Sequence, residues 1–154
     1  MKLTTFTDYS LRVLIYLAAD PGRRVTISEI AKSFEISEAH LMKVVHTLGR
    51  LGWVATIRGK GGGLALAVPA EEIAIGAVVR ATEGVAVPAE CFGQGACAIA
   101  SVCRLRGVLG DAVDAFYAVL DRSTLADVVA NGAALAPILF KGRAPGGPLT
   151  GATP

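Results

Sequence analysis

Apolar residues recur at intervals of three and four along the first third of the chain, which is the spacing of amphipathic helices. A first helix is predicted over residues 7–19, where an Asp-Pro-Gly sequence ends the pattern. A second helix begins at a capping box of Thr26 and Glu29, and after a turn at residues 35–36 Ser37 caps a third. The inward positions of these two helices are Ile27, Ile30, Ala31, Phe34, Leu41, Val44, Val45, Leu48 and Leu51. Two helices joined by a tight turn predict a helix-turn-helix.

The pattern then changes to that of a β-hairpin. Residues 53–57 and 64–68 are predicted strands, and the segment between them contains Arg58, Lys60 and four glycines. A nucleotide phosphate loop is the competing interpretation, but the segment lacks Gly-Lys-Ser/Thr and does not lead into a helix. A glycine-rich tip with two cations is typical of the wing of a winged helix, where bare backbone approaches phosphate and a cation enters the minor groove.

Helical spacing returns in the second half of the chain. A helix is predicted over residues 71–83, with Ile73, Ile75, Val78 and Val79 inward, and a longer one over residues 104–121. The apolar face of the longer helix is wide, which predicts burial against a second copy and hence a homodimer. Residues 123–130 are expected to add a turn or two of helix.

The predicted fold is therefore mainly α with a small β-hairpin wing: a winged helix-turn-helix domain plus a long dimerisation helix. We expect the DNA-binding domain in residues 1–84, a cysteine loop in 85–103, and the dimerisation helix with the following helix in 104–130. Residues 141–154, rich in Gly and Pro, are expected to form a disordered tail.

Overall composition says little about the binding partner, whereas the positions of the charged residues along the chain are informative. The 154 residues carry a net charge of only +2, which is too small to indicate a nucleic-acid partner by itself. However, Arg50, Arg58 and Lys60 form an acid-free basic stretch around the predicted wing. The apolar run near the N-terminus contains Arg12 and lacks a cleavage site of small residues, and no stretch is long enough to span a bilayer, so we expect a cytoplasmic protein.

The outer face of the third helix is a mixture of small, polar and basic groups suited to a major groove: Glu38, Ala39, Met42, Lys43, His46, Thr47 and Arg50. With the wing, the candidate contacts to double-stranded DNA are Ser37, Ala39, His40, Lys43, His46, Arg50, Arg58 and Lys60. No nucleophile–base pair or substrate-site signature is present, so we expect a regulator and not an enzyme.

All three cysteines of the chain stand at two equal intervals of six: Cys91, Cys97 and Cys103. Six residues correspond to about 600° of helical rotation, so one straight helix would not align the sulfurs. Nearby Pro and Gly residues predict a loop that runs into a helix near Cys97.

Three neighbouring thiols favour a soft metal centre, either an iron-sulfur cluster or zinc. Zinc usually takes four protein ligands with a closely spaced cysteine pair, and no such pair occurs here. A disulfide would leave one cysteine over in a chain expected in a reducing compartment, and three inert buried thiols remain the other alternative.

Several motifs together resemble the NsrR-type nitric-oxide-sensing repressors, part of the winged-helix family that also contains the iron-sulfur regulator IscR. The resemblance covers about residues 1–130. It is carried by Leu3-Thr4, Tyr9 and Leu11-Arg12, by Ile30-Ala31 and Leu41-x-Lys43-Val44-Val45, by Arg58-Gly59-x-x-Gly62-Gly63, by Ile75-Gly76 through Glu83, and by the three cysteines.

The resemblance implies a homodimeric DNA-binding repressor whose operator affinity is gated by an iron-sulfur cluster that senses nitric oxide. Cys91, Cys97 and Cys103 would bind the cluster, with 4Fe-4S favoured and 2Fe-2S possible. In the IscR-like branch a histidine occupies the position of Arg106, so the NsrR-type branch is favoured. In that branch the residue matching Asp8 supplies a fourth ligand from the partner subunit.

Asp8 also has a simpler interpretation. A carboxylate in the first turn of a helix is stabilised by the helix dipole, and Arg12, four residues on, is its expected ion-pair partner. If Asp8 is instead a cluster ligand, Arg12 would support it in that role. An alternative function of the same fold is a redox or iron-sulfur/sulfur-status regulator that uses a 2Fe-2S cluster or thiols as its sensor.

Overall fold

The computed structural model describes residues 2–84, 89–93 and 97–140. Its helices are α1 (Thr5–Ala18), α2 (Ile27–Phe34), α3 (Glu38–Arg50), α4 (Ile75–Glu83), α5 (Arg104–Leu120), α6 (Leu125–Val128) and α7 (Gly132–Leu139). Two strands, β1 (Val54–Ile57) and β2 (Gly63–Leu66), and short 3-10 turns at Ala70–Glu72 and Glu90–Phe92 complete these elements.

Side-chain caps fix where the first three helices begin. The Thr4 hydroxyl accepts a hydrogen bond from Thr7 N–H at 3.2 Å, and the Ser37 hydroxyl accepts one from His40 N–H at 3.3 Å. Thr26 and Glu29 form the predicted capping box at the start of α2. These bonds satisfy backbone N–H groups that have no partner within the helix. The caps of α2 and α3 therefore set the short turn of the helix-turn-helix.

Helix α1 is the central element of the core. It packs against α2, α3, α4, α6 and β2. The largest fully buried side chains come from α1, its four helical partners and the segment before α4, and include Leu14, Ile30, Leu41, Leu48, Ile73, Val78 and Leu125. The two helices of the helix-turn-helix thus pack against α1 and do not form an isolated helical pair.

The wing, residues 54–66, is an antiparallel hairpin in which Val54 pairs with Leu66 and Ile57 with Gly63. Val25 extends the pairing on the other side of β2, because its N–H donates to Leu64 O at 3.0 Å and its carbonyl accepts from Leu64 N–H at 2.7 Å. A Cβ at position 62 would collide with the Ile57 carbonyl, so the tight turn requires glycine there. The hairpin is therefore attached to the body of the domain through Leu64, close to the turn end of β2.

The helix predicted over residues 71–83 is interrupted. Ile73 adopts an extended conformation, and α4 begins only at Ile75. The reason is tertiary: Leu125 N–H donates to Ile73 O at 2.8 Å, and Ile75 N–H donates to Ser123 O at 2.9 Å. These bonds replace helical ones and attach the segment before α4 to the start of α6.

Helix α5 has the predicted length, but none of its residues is buried against the rest of the described chain. Leu105, Val108 and Val119 are large apolar side chains that face solvent. Just beyond its C-terminal end, Asp121 makes two hydrogen bonds of 2.6 Å with the Arg80 guanidinium of α4. Within this chain α5 is held mainly through its contact with α4.

Helix α7 was not predicted. Leu139 is buried, its carbonyl accepts a hydrogen bond from the Ser33 hydroxyl at 2.9 Å, and the Phe140 ring packs edge-on against Tyr16 at 5.1 Å. This short helix therefore folds back onto α2 and α1. The tail predicted at residues 141–154 lies outside the described residues.

Candidate nucleic-acid interface and cysteine loop

The predicted outer face of α3 is exposed to solvent. The cap residue and helix positions proposed as DNA contacts are all exposed: Ser37, Ala39, His40, Lys43, His46 and Arg50. The inward positions Leu41, Val44, Val45 and Leu48 are buried, whereas Leu51, also predicted inward, is 40% exposed. Leu51 follows the last residue of the helix, where the chain turns toward β1, so its side chain leaves the inward row.

The cations of this surface carry no internal partner in the part of the chain that the structure describes. The ion pairs found there are Arg12–Asp8, Arg23–Glu29 and Arg80–Asp121. Arg58 and Lys60 are exposed at the wing tip, whose Gly61 carbonyl accepts a hydrogen bond from Arg24 at 2.9 Å. The positive charge of α3 and the wing is therefore available to an external anion such as a phosphate backbone.

Asp8 and Arg12 form the ion pair expected from their spacing, with Arg12 Nε 3.0 Å from Asp8 Oδ2 and both side chains about half-exposed. The Arg12 guanidinium also lies 5.6 Å from the centre of the Phe34 ring at the end of α2. One residue after Asp8, the Tyr9 ring lies 6.3 Å from the His40 ring of α3. The exposed edge of α1 that carries Asp8 thus contacts both helices of the helix-turn-helix.

The described residues of the cysteine loop (residues 85–103) lie outside the core. Cys91, in the second 3-10 turn, and Cys103, which immediately precedes α5, are half-buried, and Cys97 is exposed. All three are free thiols, so the described structure contains no disulfide among them. Residues 85–88 and 94–96 of the loop are not described.

The helix expected near Cys97 is absent from residues 97–103, and this prediction was wrong. Ala100 N–H donates to Cys97 O at 3.0 Å and Val102 N–H to Ile99 O at 3.1 Å, so the chain forms successive turns. The helix begins only at Arg104. Cys97 and Cys103 are therefore joined by turns and not by one rigid helix.

The C-terminal end of α4 is bonded to the start of α1, close to Asp8. Glu83 Oε1 accepts hydrogen bonds from Thr4 N–H at 2.6 Å and from the Thr4 hydroxyl at 3.1 Å, and the Thr7 hydroxyl donates to Thr82 at 2.8 Å. Burial alone would raise the pKa of Glu83, but hydrogen bonds from Thr7 and Thr4 outweigh it and lower that pKa. An ionised Glu83 thus joins the start of α1 to the C-terminal end of α4.

The donor chemistry of the loop fits a soft metal centre, since three accessible thiols are the ligands that iron-sulfur clusters use. Within residues 2–84, 89–93 and 97–140, however, no three side chains among His, Cys, Asp and Glu are grouped closely enough to hold a metal ion. The structure therefore leaves the ligand set formed by Cys91, Cys97, Cys103 and Asp8 as a prediction. Arg106, which stands where the IscR-like branch has histidine, lies 5.7 Å from the centre of the Phe92 ring.

One feature that sequence reasoning missed is the clamp between α4 and α5. Arg80 binds Asp121 through both carboxylate oxygens and lies 4.3 Å from the centre of the Tyr117 ring. A Cβ at Gly76 would collide with the Asp121 carboxylate, so the clamp requires glycine in the first turns of α4. The presence of Gly76 inside a helical pattern was the sequence feature that could have indicated this close contact.

Comparison with known proteins identifies the family to which this chain belongs. The model of the Rrf2 family, described as iron-dependent transcriptional regulators, matches residues 3–131. The chain belongs to the Rrf2 family.

Its relatives within the Rrf2 family include the HTH-type transcriptional regulator NsrR of Bacillus subtilis, 53% identical over 85% of this chain and 92% of that protein. The NsrR regulator of Geobacillus kaustophilus is 47% identical over 93% of this chain and 99% of its own length. These relatives confirm the resemblance, and they show a transcriptional regulator and not an enzyme.

Solved structures confirm the predicted winged-helix fold. CymR, the global cysteine regulator of B. subtilis, is 31% identical with a TM-score of 0.67 over 85% of this chain and 98% of CymR. T. potens IscR is 26% identical with a TM-score of 0.69 over 85% of this chain and 88% of IscR. None of the helices in the described part of this Rrf2 protein is both long and apolar enough to cross a membrane.

Proposed function

We propose that this Rrf2 protein is a homodimeric DNA-binding transcriptional repressor whose operator affinity is gated by an iron-sulfur cluster that senses nitric oxide. The observation that supports it most directly is the combination of an exposed α3 face with 53% identity to an NsrR regulator over 85% of the chain. In this proposal residues 1–84 bind DNA, residues 85–103 hold the cluster and residues 104–130 join two copies.

The DNA-binding part rests on charge and exposure. Lys43, His46 and Arg50 lie on the exposed face of α3, and Arg58 and Lys60 lie on the exposed wing tip. In winged helix-turn-helix proteins the second helix enters the major groove while flanking cations neutralise phosphates. A dimer would then recognise two half-sites about one helical turn apart.

The dimer part rests on α5. A helix of 17 residues with none of them buried in the described chain leaves Leu105, Val108 and Val119 in water. A second copy of the same helix covers such a face by two-fold symmetry. The Arg80–Asp121 clamp would transmit the position of α5 to α4 and the wing domain.

The cluster part rests on donor chemistry and on the resemblance to the NsrR-type repressors. When bound, an iron-sulfur cluster would supply an iron centre that reacts with nitric oxide. The chain's own residues would couple that reaction to DNA binding. Cys103 directly precedes α5. Asp8 lies on α1 beside Tyr9, which contacts α3, and Arg12, which contacts α2. Restraining or releasing these residues would change how the two α3 helices are held.

Anaerobically purified protein provides the main test. Its visible spectrum and its iron and sulfide content should show a cluster, and nitric oxide should bleach the spectrum and weaken operator binding in parallel. Cys91→Ala, Cys97→Ala and Cys103→Ala should each remove the cluster, while Ser101→Ala, an exposed residue of the same loop, is the matched control. A parent-like spectrum in any of the three cysteine variants would exclude that thiol as a ligand.

The role of Asp8 is tested separately. As a ligand from the partner subunit, Asp8 replaced by Ala should alter the spectrum and the nitric oxide response. As a helix-terminus charge alone, the change would cost about 0.3–1 kcal/mol and leave the spectrum unaltered. A heterodimer of an Asp8→Ala subunit with a Cys97→Ala subunit should keep one complete site if ligation crosses the interface and none if it lies within a subunit.

The wing is tested by salt dependence. Arg58→Ala or Lys60→Ala should weaken operator binding and flatten the dependence of affinity on salt, because each cation that contacts a phosphate releases a counterion. Fluorescence anisotropy with labelled duplex measures both quantities. Unchanged slopes in both variants would exclude the wing from the interface.

A second function is favoured by the similarity to CymR, whose structures include an oxidised form from Staphylococcus aureus at 31% identity and a TM-score of 0.66. The three free thiols of the cysteine loop would then themselves be the sensor of redox or sulfur status, or would hold a 2Fe-2S cluster. Operator binding by metal-free protein that responds to thiol oxidants and not to nitric oxide would favour this function.

A further inference from the structure

Met42 is an exposed apolar residue on the helix that we propose enters DNA. Most large apolar side chains exposed in the described chain lie between residues 99 and 138, on the cysteine loop and helices α5 to α7. Met42 instead belongs to α3 and is 54% exposed, although its neighbours Leu41 and Val44 are buried. Packing among the described residues therefore does not account for its apolar character.

Helical spacing places Met42 within the candidate DNA face. Ala39 and His46 lie three residues before it and four residues after it, so the three side chains are neighbours along the helix surface. Met42 is in the second turn of α3, and the N-terminal turns of such a helix are those that reach base edges. Lys43 is exposed on the other side of Ala39.

The major groove offers one strongly apolar group, the 5-methyl of thymine. The small Ala39 leaves room beside Met42, and a methionine thioether is flexible and polarisable enough to follow a methyl group whose position varies. Hydrogen-bonding partners such as Lys43 read other base edges, but they gain nothing from that methyl.

We propose that Met42 is a specificity-determining contact to a thymine 5-methyl group in each operator half-site. This inference rests on the proposed DNA-binding function and assigns Met42 a role in sequence choice. A half-site would then require a T·A pair at one fixed position, and replacing that thymine with another base or removing its methyl would weaken binding.

The test uses full-length protein with its metal centre and an operator found by selection from random duplexes. Each thymine is replaced in turn by uracil, which removes only the 5-methyl group. One position per half-site should lose about fourfold in affinity for the parent protein, the value expected for burying one methyl group. Met42→Ala should bind the original operator more weakly and should show no loss at that uracil.

The controls separate a methyl contact from a general effect. Met42→Leu should keep the uracil penalty, and Leu51→Ala, an exposed apolar change just beyond α3, should leave operator affinity and the penalty unchanged. The salt dependence of Met42→Ala should match that of the parent, since no charge is removed.

The outcomes also separate the two proposals. Sequence-specific binding with an equal uracil penalty in the parent and in Met42→Ala, or with no penalty in either, would overturn the role of Met42 and leave the DNA-binding proposal intact. Failure of the parent protein to select any sequence, in the presence or absence of its metal centre, would overturn both.

Discussion

Leu139 offers a direct measure of how strongly α7 is attached to the helix-turn-helix. Its side chain is only 7% exposed, while that of the preceding Ile138 is 62% exposed, so adjacent residues of one short helix have opposite environments. Replacing a buried leucine with alanine costs about 2–5 kcal/mol, and a site at the edge of the core should fall near about 2–3. For a chain of this size that corresponds to a melting temperature lower by about 5–10 °C.

The assay is thermal unfolding of metal-free protein followed by circular dichroism at one fixed protein concentration. Ile138→Ala is the matched control, and it should change stability by less than about 0.5 kcal/mol because the side chain is exposed. A third variant, Ser33→Ala, should remove the 2.9 Å bond to the Leu139 carbonyl at a cost of about 1 kcal/mol. Equal, small effects of the two α7 substitutions would refute the packing of this helix on α2.

Three further variants test other parts of the fold. Asp121→Asn should destabilise metal-free protein at neutral pH. The hydrogen bond with Arg80 lowers the pKa of Asp121 from its ordinary value of 3.8. The contribution of the ionised carboxylate to stability is therefore complete above pH 3.8 and is lost as the pH falls below that value. Urea unfolding from neutral pH into that acid range should show a shallower decline for the variant, and parallel curves would contradict the role of the pair. Gly62→Ala should lower operator affinity measured by anisotropy, because its Cβ would collide with the Ile57 carbonyl and move the wing; unchanged affinity would contradict this. Gly107→Ala should stabilise α5 by about 0.5–1 kcal/mol in chemical denaturation, because a Cβ there meets nothing within 4 Å in the described chain; a loss of stability would instead place partner atoms against this position.

The helix-turn-helix was predictable because local and tertiary signals agree there. The caps at Thr26 and Ser37 and the apolar spacing of α2 and α3 specify the same boundaries that the core requires. The hairpin was predictable for a similar reason, since its glycine-rich turn leaves few alternatives. Belonging to the Rrf2 family confirms what these signals indicated.

The missed features depend on contacts that a local pattern does not contain. Ile73 fits a helical spacing, yet its carbonyl bonds to Leu125, more than fifty residues away in the sequence, and this ends the helical continuity. Pro137 within α7 reads as a helix breaker, but α7 is stabilised by packing on α2. The Arg80–Asp121 clamp likewise joins two segments that are distant in sequence.

In the candidate site, too, local features were predictable from the sequence and the three-dimensional arrangement was not. Exposure of the α3 face followed from helical spacing, and the Asp8–Arg12 pair followed from an interval of four. The arrangement of the three thiols did not follow from their equal spacing, because turns between Cys97 and Cys103 permit many relative positions. Their role, and that of Asp8, stays a prediction for the spectroscopic experiments.

The solvent-facing α5 helix has a consequence for how the protein folds and accumulates. If its apolar residues are covered only by another copy, the final step of folding is bimolecular, and stability depends on the amount of protein present. Refolding should then become faster as the chain concentration rises, whereas dilution should favour a partly folded monomer that exposes α5 to proteases. The number of chains made would thus set the amount of competent repressor, independently of the state of the cysteine loop.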